Sequence, residues 1–472
     1  MHTKIFFGFR KYAMVLQENV SAISTPSGVG GVAIIRISGE TPLAVLSKMF
    51  RPTAQIAVTD FQPFRMYTGV ILADGFEDYG MAVYFRAPKS YTGEHVVEIH
   101  CHGGIAIQRG ILEKTFQLGC RPAGRGEFTR RAFLNGKLSL SSSEGLIEMI
   151  HAESRAGVVA GYSLYREKLY DALEGVRKDL TFALASLNAQ IDYPEEGLEE
   201  LTDGEITAFL TSATKKLSAL SETYQTGSFV KNGVKVALLG KPNAGKSSLL
   251  NRLIGRERAI VTEIAGTTRD VVEGETEMQG VRFLFSDTAG IRDTQDTVER
   301  MGVTLSKKVA SQADIALFLT DGVWEEEDES LLTVFRERET EGKKNVVILN
   351  KTDLPNTLAA AEEISVRFGV PALSLSAKTG DGVATLKTAL ASFALSGQAD
   401  PEVGYLTERR HYDAVKTAIG LLETATQNVG FLPCDLIAAD VEEAWRTIGE
   451  ITGATAPEEV IDEIFSKFCV GK

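Results

Sequence analysis

A loop that can bind phosphate groups is the clearest chemical feature of this sequence. Residues 240–247 have the sequence GKPNAGKS, which fits the pattern GxxxxGK[ST]. They follow an apolar run typical of a strand and precede a helical pattern, as a phosphate-binding loop requires. Glycines let backbone N–H groups curl round phosphate oxygens, and the helix N-terminus adds positive potential. We expect Lys246 to reach the terminal phosphates and Ser247 to bind Mg²⁺.

Two further motifs predict that the base is guanine. Residues 350–353 have the sequence NKTD and follow another apolar run. Asp353 can accept hydrogen bonds from the N1–H and the 2-amino group of guanine, and adenine supplies neither donor. Residues 376–378, with the sequence SAK, follow a further strand-like run and can complete the base pocket.

Two motifs between these segments predict the hydrolytic part of the site. Asp287 begins the sequence DTAG at the end of a predicted strand, which would place its carboxylate beside Mg²⁺ and a backbone N–H near the γ-phosphate. Thr267 and Thr268 offer a hydroxyl group for Mg²⁺ in a switch segment. These five motifs lie at strand ends and follow one another along the chain in the order typical of a GTPase. Together they predict a GTPase.

The residue after the DTAG motif departs from many switch GTPases, which place a water-orienting Gln there. This sequence has Ile291, and an apolar side chain cannot orient a nucleophilic water. We therefore expect a nearby carboxylate to do so, and the candidates are Asp293, Asp296 and Glu299. No arginine finger is obvious within the chain, although Arg292 is available.

The elements that must position these motifs form an α/β unit between two helical blocks. Four apolar runs, at 234–239, 281–285, 315–319 and 346–349, are typical of strands covered on both faces. Amphipathic stripes at steps of three and four predict long helices before and after the α/β unit, at 169–191, 206–224, 437–448 and 461–468. The acidic run 325–329 is interpreted as a solvated loop.

Short β-rich runs and Gly/Pro turns predict an α+β domain at the start of the chain, with strands at 31–37, 81–85 and 96–100. The expected domains are an extension (1–17), the α+β domain (18–135), a helical domain in two halves (136–230 and 395–472) and an inserted Ras-like P-loop GTPase domain (231–394). The predicted fold class is therefore multidomain α+β and α/β, with a discontinuous helical domain.

Composition excludes several classes of protein. The 472 residues are 44% hydrophobic and 24% charged, and no run of about 18 apolar residues exists, which argues against a membrane span. A net charge of −13 disfavours indiscriminate binding to nucleic-acid backbones. The four cysteines include no CxxC pair, which argues against a zinc cage or disulfide scaffold and favours a reducing, cytoplasmic location.

Several longer segments resemble the tRNA-modification GTPase family MnmE, also called TrmE. They include PNAGKSS at 242–248, IAGTTRD at 264–270 and the closing FCVGK at 468–472. Further matching segments lie at 36–39, 91–94, 126–129 and 131–137, so the resemblance covers about residues 18–472. The family tail is usually Cys-Ile-Gly-Lys, so Val470 is a mild departure.

The resemblance implies a homodimer joined through N-terminal domains that bind 5-formyl-tetrahydrofolate or a related tetrahydrofolate. It also implies a flavoprotein partner of the MnmG (GidA) type, in a heterotetramer or larger complex. Together they would add an aminomethyl or carboxymethylaminomethyl group to C5 of the wobble uridine of certain tRNAs. Potassium would stimulate GTP hydrolysis and replace an arginine finger.

The resemblance and the motifs together assign roles to individual residues. Glu299 would help to place the water, and Cys469 would lie near the one-carbon unit as a catalytic group. The expected folate-binding residues are Arg36, Glu98, Lys137 and Lys472. Mg²⁺ would be bound by Ser247 and Thr268, and K⁺ by Asn243, Thr262, Ile264 and Thr267. The expected GTP-binding residues are Asn243, Ala244, Gly245, Lys246, Ser247, Ser248, Thr262, Glu263, Ile264, Ala265, Gly266, Thr267, Thr268, Asp287, Thr288, Ala289, Gly290, Asn350, Lys351, Asp353, Ser376, Ala377 and Lys378.

Other interpretations stay open at this point. A ribosome-assembly or RNA-binding regulatory GTPase without modification chemistry is the alternative, as is a nucleotide-regulated scaffold. Without the resemblance, Glu98 is a solvent-facing strand residue and Cys469 is a buried, inert thiol. The basic stretch, which comprises Arg121, Arg125, Arg130, Arg131 and Lys137, either meets tRNA phosphates or forms a solvated loop.

Overall fold

The structure is a computed structural model that describes residues 18–192, 202–255, 274–287, 307–355, 357–396 and 404–472, except for the side chains of Asp287 and Glu327. The chain divides into two compact units. The first unit takes the residues up to Ile147 together with Leu164–Ala185 and Val441–Lys472. The second takes Glu148–Ser163 and Ser186–Asp440.

A seven-stranded sheet forms the centre of the first unit. Its strands are β1 (Val20–Ile23), β2 (Gly30–Gly39), β3 (Phe50–Pro52), β4 (Met66–Ala73), β5 (Phe76–Phe85), β6 (His95–Gly103) and β7 (Arg121–Pro122). Their order across the sheet is β3-β4-β5-β6-β2-β1-β7. All neighbours are antiparallel except β1 and β7, which are parallel. The three strands predicted from the sequence lie within β2, β5 and β6 and are confirmed.

Side chains alternate between the two faces of this sheet, and one face supports the core. Ile35 and Ile37 of β2 and Ile99 of β6 are fully buried. Helices α1 (Pro42–Leu46) and α2 (Ile105–Gln117) pack residues against this core. A short 3₁₀ turn, Val58–Asp60, adds Val58. The alternation leaves Arg36 opposite Glu98 in the pairing of β2 with β6.

The helices that follow are α3 (Glu127–Leu134), α4 (Leu140–His151), α5 (Arg155–Tyr165), α6 (Lys168–Asp192), α7 (Asp203–Glu222) and α8 (Tyr224–Asn232). Of these, α6 and α7 confirm the stripes predicted at 169–191 and 206–224. Helix α7 begins with a capping box, in which Thr202 accepts from the backbone of Glu205 and the Glu205 carboxylate accepts from the backbone of Thr202. Its buried stripe includes the predicted Ile206, Leu210 and Leu217.

A six-stranded sheet forms the centre of the second unit. Its strands are β8 (Val234–Gly240), β9 (Gly274–Met278), β10 (Val281–Asp287), β11 (Ile315–Thr320), β12 (Lys344–Leu349) and β13 (Ala372–Ser374). Their order is β13-β12-β11-β8-β10-β9, and only β9 is antiparallel to its neighbour. Every residue of β11 is buried, as expected for a strand covered on both faces.

Helices cover this sheet and close the chain. Those between the strands are α9 (Lys246–Ile254), α10 (Glu326–Thr340), α11 (Ala361–Phe368) and α12 (Val383–Ala394). Residues 307–312 are also helical, and Leu358–Ala360 form a 3₁₀ turn. The last helices are α13 (Arg409–Asn428), α14 (Cys434–Thr452) and α15 (Glu458–Ser466), and the last two confirm the stripes predicted at 437–448 and 461–468.

The predicted solvated loop at 325–329 is wrong, because these residues start helix α10. Glu325 is the N-cap residue, and its side chain accepts from the backbone of Asp328 while the Asp328 carboxylate accepts from the backbone of Glu325. Carboxylates are favourable at a helix N-terminus because they face unpaired N–H groups and the positive end of the helix dipole. The acidic run is therefore a helix start, and Asp328 is almost fully buried.

These elements confirm the predicted multidomain α+β and α/β class. The residue numbers at which the predicted domains begin and end stay predictions. No helix in the part of the chain that the structure describes is both long and apolar enough to cross a membrane.

Candidate functional site

The phosphate loop joins β8 to α9 and has the backbone that its sequence requires. Asn243 and Gly245 both have positive φ, at 60° and 97°. A Cβ at Gly245 would lie 2.2 Å from the Asn350 amide nitrogen, so only glycine fits there. The Lys246 ammonium donates to the carbonyl oxygens of Gly240, at 2.7 Å, and Lys241, at 3.0 Å. The loop therefore holds the Lys246 ammonium against its own backbone carbonyl groups.

Helix α9 begins at the end of this loop, and its first turn is suited to binding an anion. Lys246 is the first helical residue, and Ser247 and Ser248 follow it with exposed side chains. The backbone N–H groups of a first turn have no partners within the helix. A hydroxyl group beside them suits an oxygen-ligated cation such as Mg²⁺.

Asn350 connects the phosphate loop to the SAK segment. Its side-chain nitrogen donates to the Ala244 carbonyl at 2.8 Å, and its side-chain oxygen accepts from the Ala377 backbone at 2.9 Å. Asn350 is 2% exposed, and these two bonds replace the hydrogen bonds to water that its amide loses on burial. The NKTD motif thus holds together two segments that are far apart in sequence.

Asp353, the residue predicted to recognise guanine, lies against the SAK segment. Ser376 Oγ donates to its Oδ1 at 2.7 Å, and the Lys378 ammonium lies 3.9 Å from its Oδ2. The hydrogen bond from Ser376 lowers the pKa of Asp353, so the carboxylate is ionised at neutral pH. An ionised carboxylate only accepts hydrogen bonds, which matches the two donors on one edge of guanine.

The structure brings together the phosphate loop and the two base-recognition motifs at one edge of the sheet. Strands β8, β11, β12 and β13 are parallel, so their carboxyl ends share that edge. Strand β10 ends there too, and the backbone of Asp287 is in register with Leu238 of β8. The remaining predicted site residues lie outside the described residues, namely Thr262, Glu263, Ile264, Ala265, Gly266, Thr267, Thr268, Thr288, Ala289, Gly290 and Glu299.

Sequence reasoning missed Arg252, which supports the base pocket from helix α9. Its Nε donates to the Ala377 carbonyl at 3.1 Å, and Nη2 donates to the Lys378 carbonyl at 2.5 Å. The residue is in the last turn of a nine-residue helix, where no local pattern distinguishes it from a solvated arginine. Only the fold brings it to residues 377 and 378.

A second cluster lies in the first unit around Arg36 and Glu98. Arg36 Nη2 lies 2.8 Å from Glu98 Oε1, and their side chains are only 19% and 15% exposed. The guanidinium also lies over the rings of Tyr91 and Phe128, at 5.4 Å from each centroid. The solvent-facing interpretation of Glu98 is therefore wrong.

The electrostatics of this cluster keep Glu98 ionised. Burial alone would raise the pKa of Glu98, but the contact with His100 and the charge of Arg36 outweigh it, so the pKa lies below its ordinary value. His100 Nε2 is 3.7 Å from the other carboxylate oxygen, Oε2, and has no hydrogen-bond partner within the described residues. One oxygen of Glu98 thus faces Arg36, and the other faces a buried ring nitrogen.

The end of the chain is fixed against the same unit. Phe128, whose ring lies under Arg36, donates its backbone N–H to the Lys472 carbonyl at 3.1 Å. Val470 forms an antiparallel bridge with Arg125, and Gly471 has a φ of 97°. Helix α15 anchors the tail by burying Ile461, Ile464 and Phe465, with Phe468 just beyond its end, against Leu140. Cys469 is exposed, so the expectation of a buried, inert thiol is wrong.

Lys137 and the basic stretch behave differently from the Arg36 cluster. The exposed Lys137 ammonium donates to the Pro88 carbonyl at 3.2 Å, and no contact joins it to Arg36 or Glu98 in the segments that the structure describes. Arg131 is 2% exposed and is paired with Glu94 and Glu127. Neither interpretation of the basic stretch fits Arg131, because its charge is neutralised inside the unit.

The phosphate loop, the Asn350 link and the Asp353 carboxylate define the second unit as a P-loop GTPase module. Family models match most of the chain: the MnmE helical domain over residues 140–469 and the N-terminus of the GTP-binding protein TrmE over residues 19–137. The chain belongs to the MnmE family of tRNA modification GTPases.

Relatives along the whole chain support this assignment. The tRNA modification GTPase MnmE of Natranaerobius thermophilus is 37% identical over 463 residues, which cover 97% of this chain and all of the relative. The protein of the same name from Geobacter metallireducens is 37% identical over 467 residues, with the same coverage.

Among solved structures, Era of Aquifex aeolicus bound to GDP and aluminium fluoride is 27% identical over 40% of this chain and 66% of that chain, with a TM-score of 0.28.

Proposed function

We propose that this chain hydrolyses GTP and, with a flavoprotein partner of the MnmG (GidA) type, modifies the wobble uridine of certain tRNAs. It would use a tetrahydrofolate one-carbon unit to add an aminomethyl or carboxymethylaminomethyl group to C5. The observation that carries the proposal is the 37% identity to proteins named tRNA modification GTPase over 97% of this chain. The proposed assembly is a homodimer joined through the N-terminal regions, which binds the flavoprotein and tRNA.

The residues of the second unit support the GTPase part of the proposal. Lys246 would stabilise the charge that develops on the terminal phosphates, and Asp353 would select guanine. The exposed Ser247 hydroxyl at the start of α9 fits Mg²⁺, which prefers oxygen ligands. Mg²⁺ would neutralise phosphate charge when bound. Asn243 presents an exposed amide from the phosphate loop and fits the proposed K⁺ site, for which Thr262, Ile264 and Thr267 would supply the other ligands.

The residues of the first unit support a folate site. Glu98 is ionised and mostly enclosed, so it can accept hydrogen bonds from the donor edge of a pterin. Lys472 and Lys137 would meet the carboxylates of the folate tail. The tail of the chain is held by Phe128, which also contacts Arg36, so Cys469 is presented from a fixed backbone. A tetrahydrofolate supplies a one-carbon unit when bound, and the Cys469 thiol would act as nucleophile or as acid–base group.

The decisive experiment compares folate binding and tRNA modification for the native chain and for Glu98→Gln. Titration calorimetry with 5-formyl-tetrahydrofolate should show that the native full-length chain binds. Glu98→Gln should weaken binding by about tenfold to a hundredfold, because a charged hydrogen-bond acceptor is lost. Mass spectrometry of tRNA nucleosides from a strain that lacks the native protein should show loss of the wobble modification with this variant.

The matched control is Glu77→Gln, which removes an exposed carboxylate paired with Arg51 in the same unit. It should leave folate binding and modification unchanged. GTP turnover should be the same in all three proteins, because the GTPase motifs lie in the other unit. A native chain that hydrolyses GTP but neither binds folate nor restores the modification would favour the RNA-binding regulatory GTPase instead.

A further inference from the structure

Lys241 is a charged residue of the phosphate loop that the nucleotide-binding pattern leaves without a role. It occupies a variable position of GxxxxGK[ST], yet its side chain is only 4% exposed. Its ammonium donates to the Val323 carbonyl at 2.6 Å and lies 3.0 Å from Glu325 Oε2. It also lies 3.1 Å from Asp321 Oδ1. A lysine this buried needs such partners, because an unpaired buried ammonium is costly.

Asp321 contacts a second lysine with its other oxygen. The Lys351 ammonium, from the NKTD motif, donates to Asp321 Oδ2 at 2.8 Å. One carboxylate therefore bridges a lysine of the phosphate loop and a lysine of the base-recognition motif. The sheet explains this position, because β11 lies between β8 and β12, and Asp321 is the first residue after β11.

The contacts within this bridge keep Asp321 and Lys241 charged despite their burial. Burial alone would raise the pKa of Asp321, but its contacts with Lys351 and Lys241 outweigh burial and lower it. Burial alone would lower the pKa of Lys241, but Glu325 and Asp321 outweigh burial and raise it. Asp321 and Lys241 are thus both charged at neutral pH. The Asp328 carboxylate lies 3.7 Å from the Lys241 ammonium on the same side of the bridge as Glu325.

We infer that Asp321 is a positioning residue that couples the phosphate loop to the guanine-recognition motif. As a positioning residue, Asp321 does not itself contact the nucleotide. It fixes Lys241 on one side and Lys351 on the other, so that ordering of either motif favours ordering of the other. The inference rests on the GTP site of the proposed function, and it adds a link that complements the Asn350 bonds to Ala244 and Ala377.

The test is a double-mutant cycle on GDP affinity, measured with a fluorescent GDP analogue on the full-length protein. Asp321→Asn keeps the shape of the side chain but removes its charge, and it should raise the Kd for GDP about tenfold. In the native background, Lys241→Met and Lys351→Met should be non-additive, because either one breaks the bridge. In the Asp321→Asn background, the effects of the same two substitutions should add.

A matched control removes an ion pair of the same unit that contacts none of these motifs. Glu363→Gln breaks the exposed pair with Arg367 on α11 and should change the Kd less than about twofold. If Asp321→Asn does not fold, as judged by circular dichroism, the lysine cycle in the native background decides alone. Additive lysine effects there, or an unchanged Kd in a folded Asp321→Asn, would overturn the inference.

The same measurements separate this inference from the proposed function. A native chain that binds neither GDP nor GTP would contradict the proposed function itself. A native chain that binds both nucleotides, with additive lysine effects, would contradict only the coupling through Asp321.

Discussion

At the scale of single residues, we propose that one carboxylate, Asp353, decides which nucleotide base the chain accepts. Asp353→Asn replaces one of two acceptor oxygens with a donor, which opposes the 2-amino group of guanine but matches the 2-oxo group of xanthine. We expect the Kd for GTP to rise by about a hundredfold or more and xanthosine triphosphate to become the preferred ligand. Titration calorimetry with both nucleotides measures the change.

Asp381→Asn is the matched control for this substitution. Asp381 lies in the loop after β13 that carries the SAK segment, where its carboxylate accepts from the Thr379 hydroxyl. It should leave the preference for GTP intact. Unchanged GTP affinity in Asp353→Asn would remove Asp353 from the base pocket.

We propose that a second residue, Asn243, decides whether potassium assists hydrolysis. Asn243→Gly removes the side chain and keeps the backbone, because glycine adopts a φ of 60° without strain. The native chain should hydrolyse GTP at least about tenfold faster in K⁺ than in Na⁺, because a fixed cation neutralises charge that develops in phosphoryl transfer. Asn243→Gly should lose this difference and keep its affinity for GDP.

Phosphate release at matched ionic strength measures the effect. Equal turnover of the native chain in the two salts would contradict the potassium site. A lower affinity for GDP in Asn243→Gly would instead assign Asn243 to phosphate binding.

At the scale of elements, the C-terminal tail depends on the conformation of one glycine. Gly471 has a φ of 97°, and a Cβ there would lie 2.0 Å from the Ile23 carbonyl oxygen of β1. Gly471→Ala should therefore displace Lys472 and weaken folate binding by about tenfold or more, since the tail cannot keep its place beside Phe128. Calorimetry with 5-formyl-tetrahydrofolate measures the loss.

Gly175→Ala makes the same chemical change where it is harmless. Gly175 lies inside α6, and nothing lies within 4 Å of a Cβ built there. This variant should bind folate normally and be more stable by about 0.5–1 kcal/mol, because alanine favours a helix interior over glycine. Normal folate binding by Gly471→Ala would show that the tail is not part of the site.

At the scale of the whole molecule, one ion cluster of the second unit joins the end of α4 to α8 and α13. The Glu148 carboxylate of α4 lies 3.2 Å from the Lys231 ammonium of α8 and accepts from the Thr407 hydroxyl at 2.6 Å. Lys231 also pairs with Glu408, the N-cap residue of α13. Lys231 precedes strand β8, and Glu408 follows the last strand of the sheet, so the cluster fixes both connections to that sheet.

This cluster predicts how stability depends on pH. Burial, together with the charge of Glu408, raises the pKa of Glu148 to about 7, above the value of about 4.5 expected in the unfolded chain. The folded state therefore binds more protons than the unfolded state between these values. The contribution of Glu148 to stability is full below about pH 4.5 and is lost as the pH rises to about 7.

Urea denaturation from pH 5 to pH 8 measures this dependence. Glu148→Gln should flatten the fall in unfolding free energy across that range, because the amide does not titrate. The exposed Glu463, paired with Lys467, gives the control substitution Glu463→Gln, which should follow the native curve. A Glu148→Gln curve parallel to the native curve would contradict the raised pKa.

Most of what the sequence alone predicted correctly depends on local interactions. The phosphate loop, the NKTD and SAK segments and the stripes of α6, α7 and α15 are contiguous patterns, since backbone dihedrals and side-chain periodicity act within a few residues. The family could be identified for the same reason, because its motifs are short and ordered along the chain. The error at 325–329 was also local, since a run of carboxylates suits a solvated loop and a helix N-terminus equally well.

Only the tertiary structure decided which distant residues meet. Arg36 and Glu98 are 62 positions apart, and only the register of β2 with β6 places them opposite each other and encloses them. The exposure of Cys469 depends on how α15 packs and on the bridge between Val470 and Arg125. Asp321 reaches Lys241 and Lys351 because strand β11 lies between β12, which follows it in the chain, and β8, which comes three strands earlier. Strand order and register depend on contacts between remote segments, and no local pattern contains them.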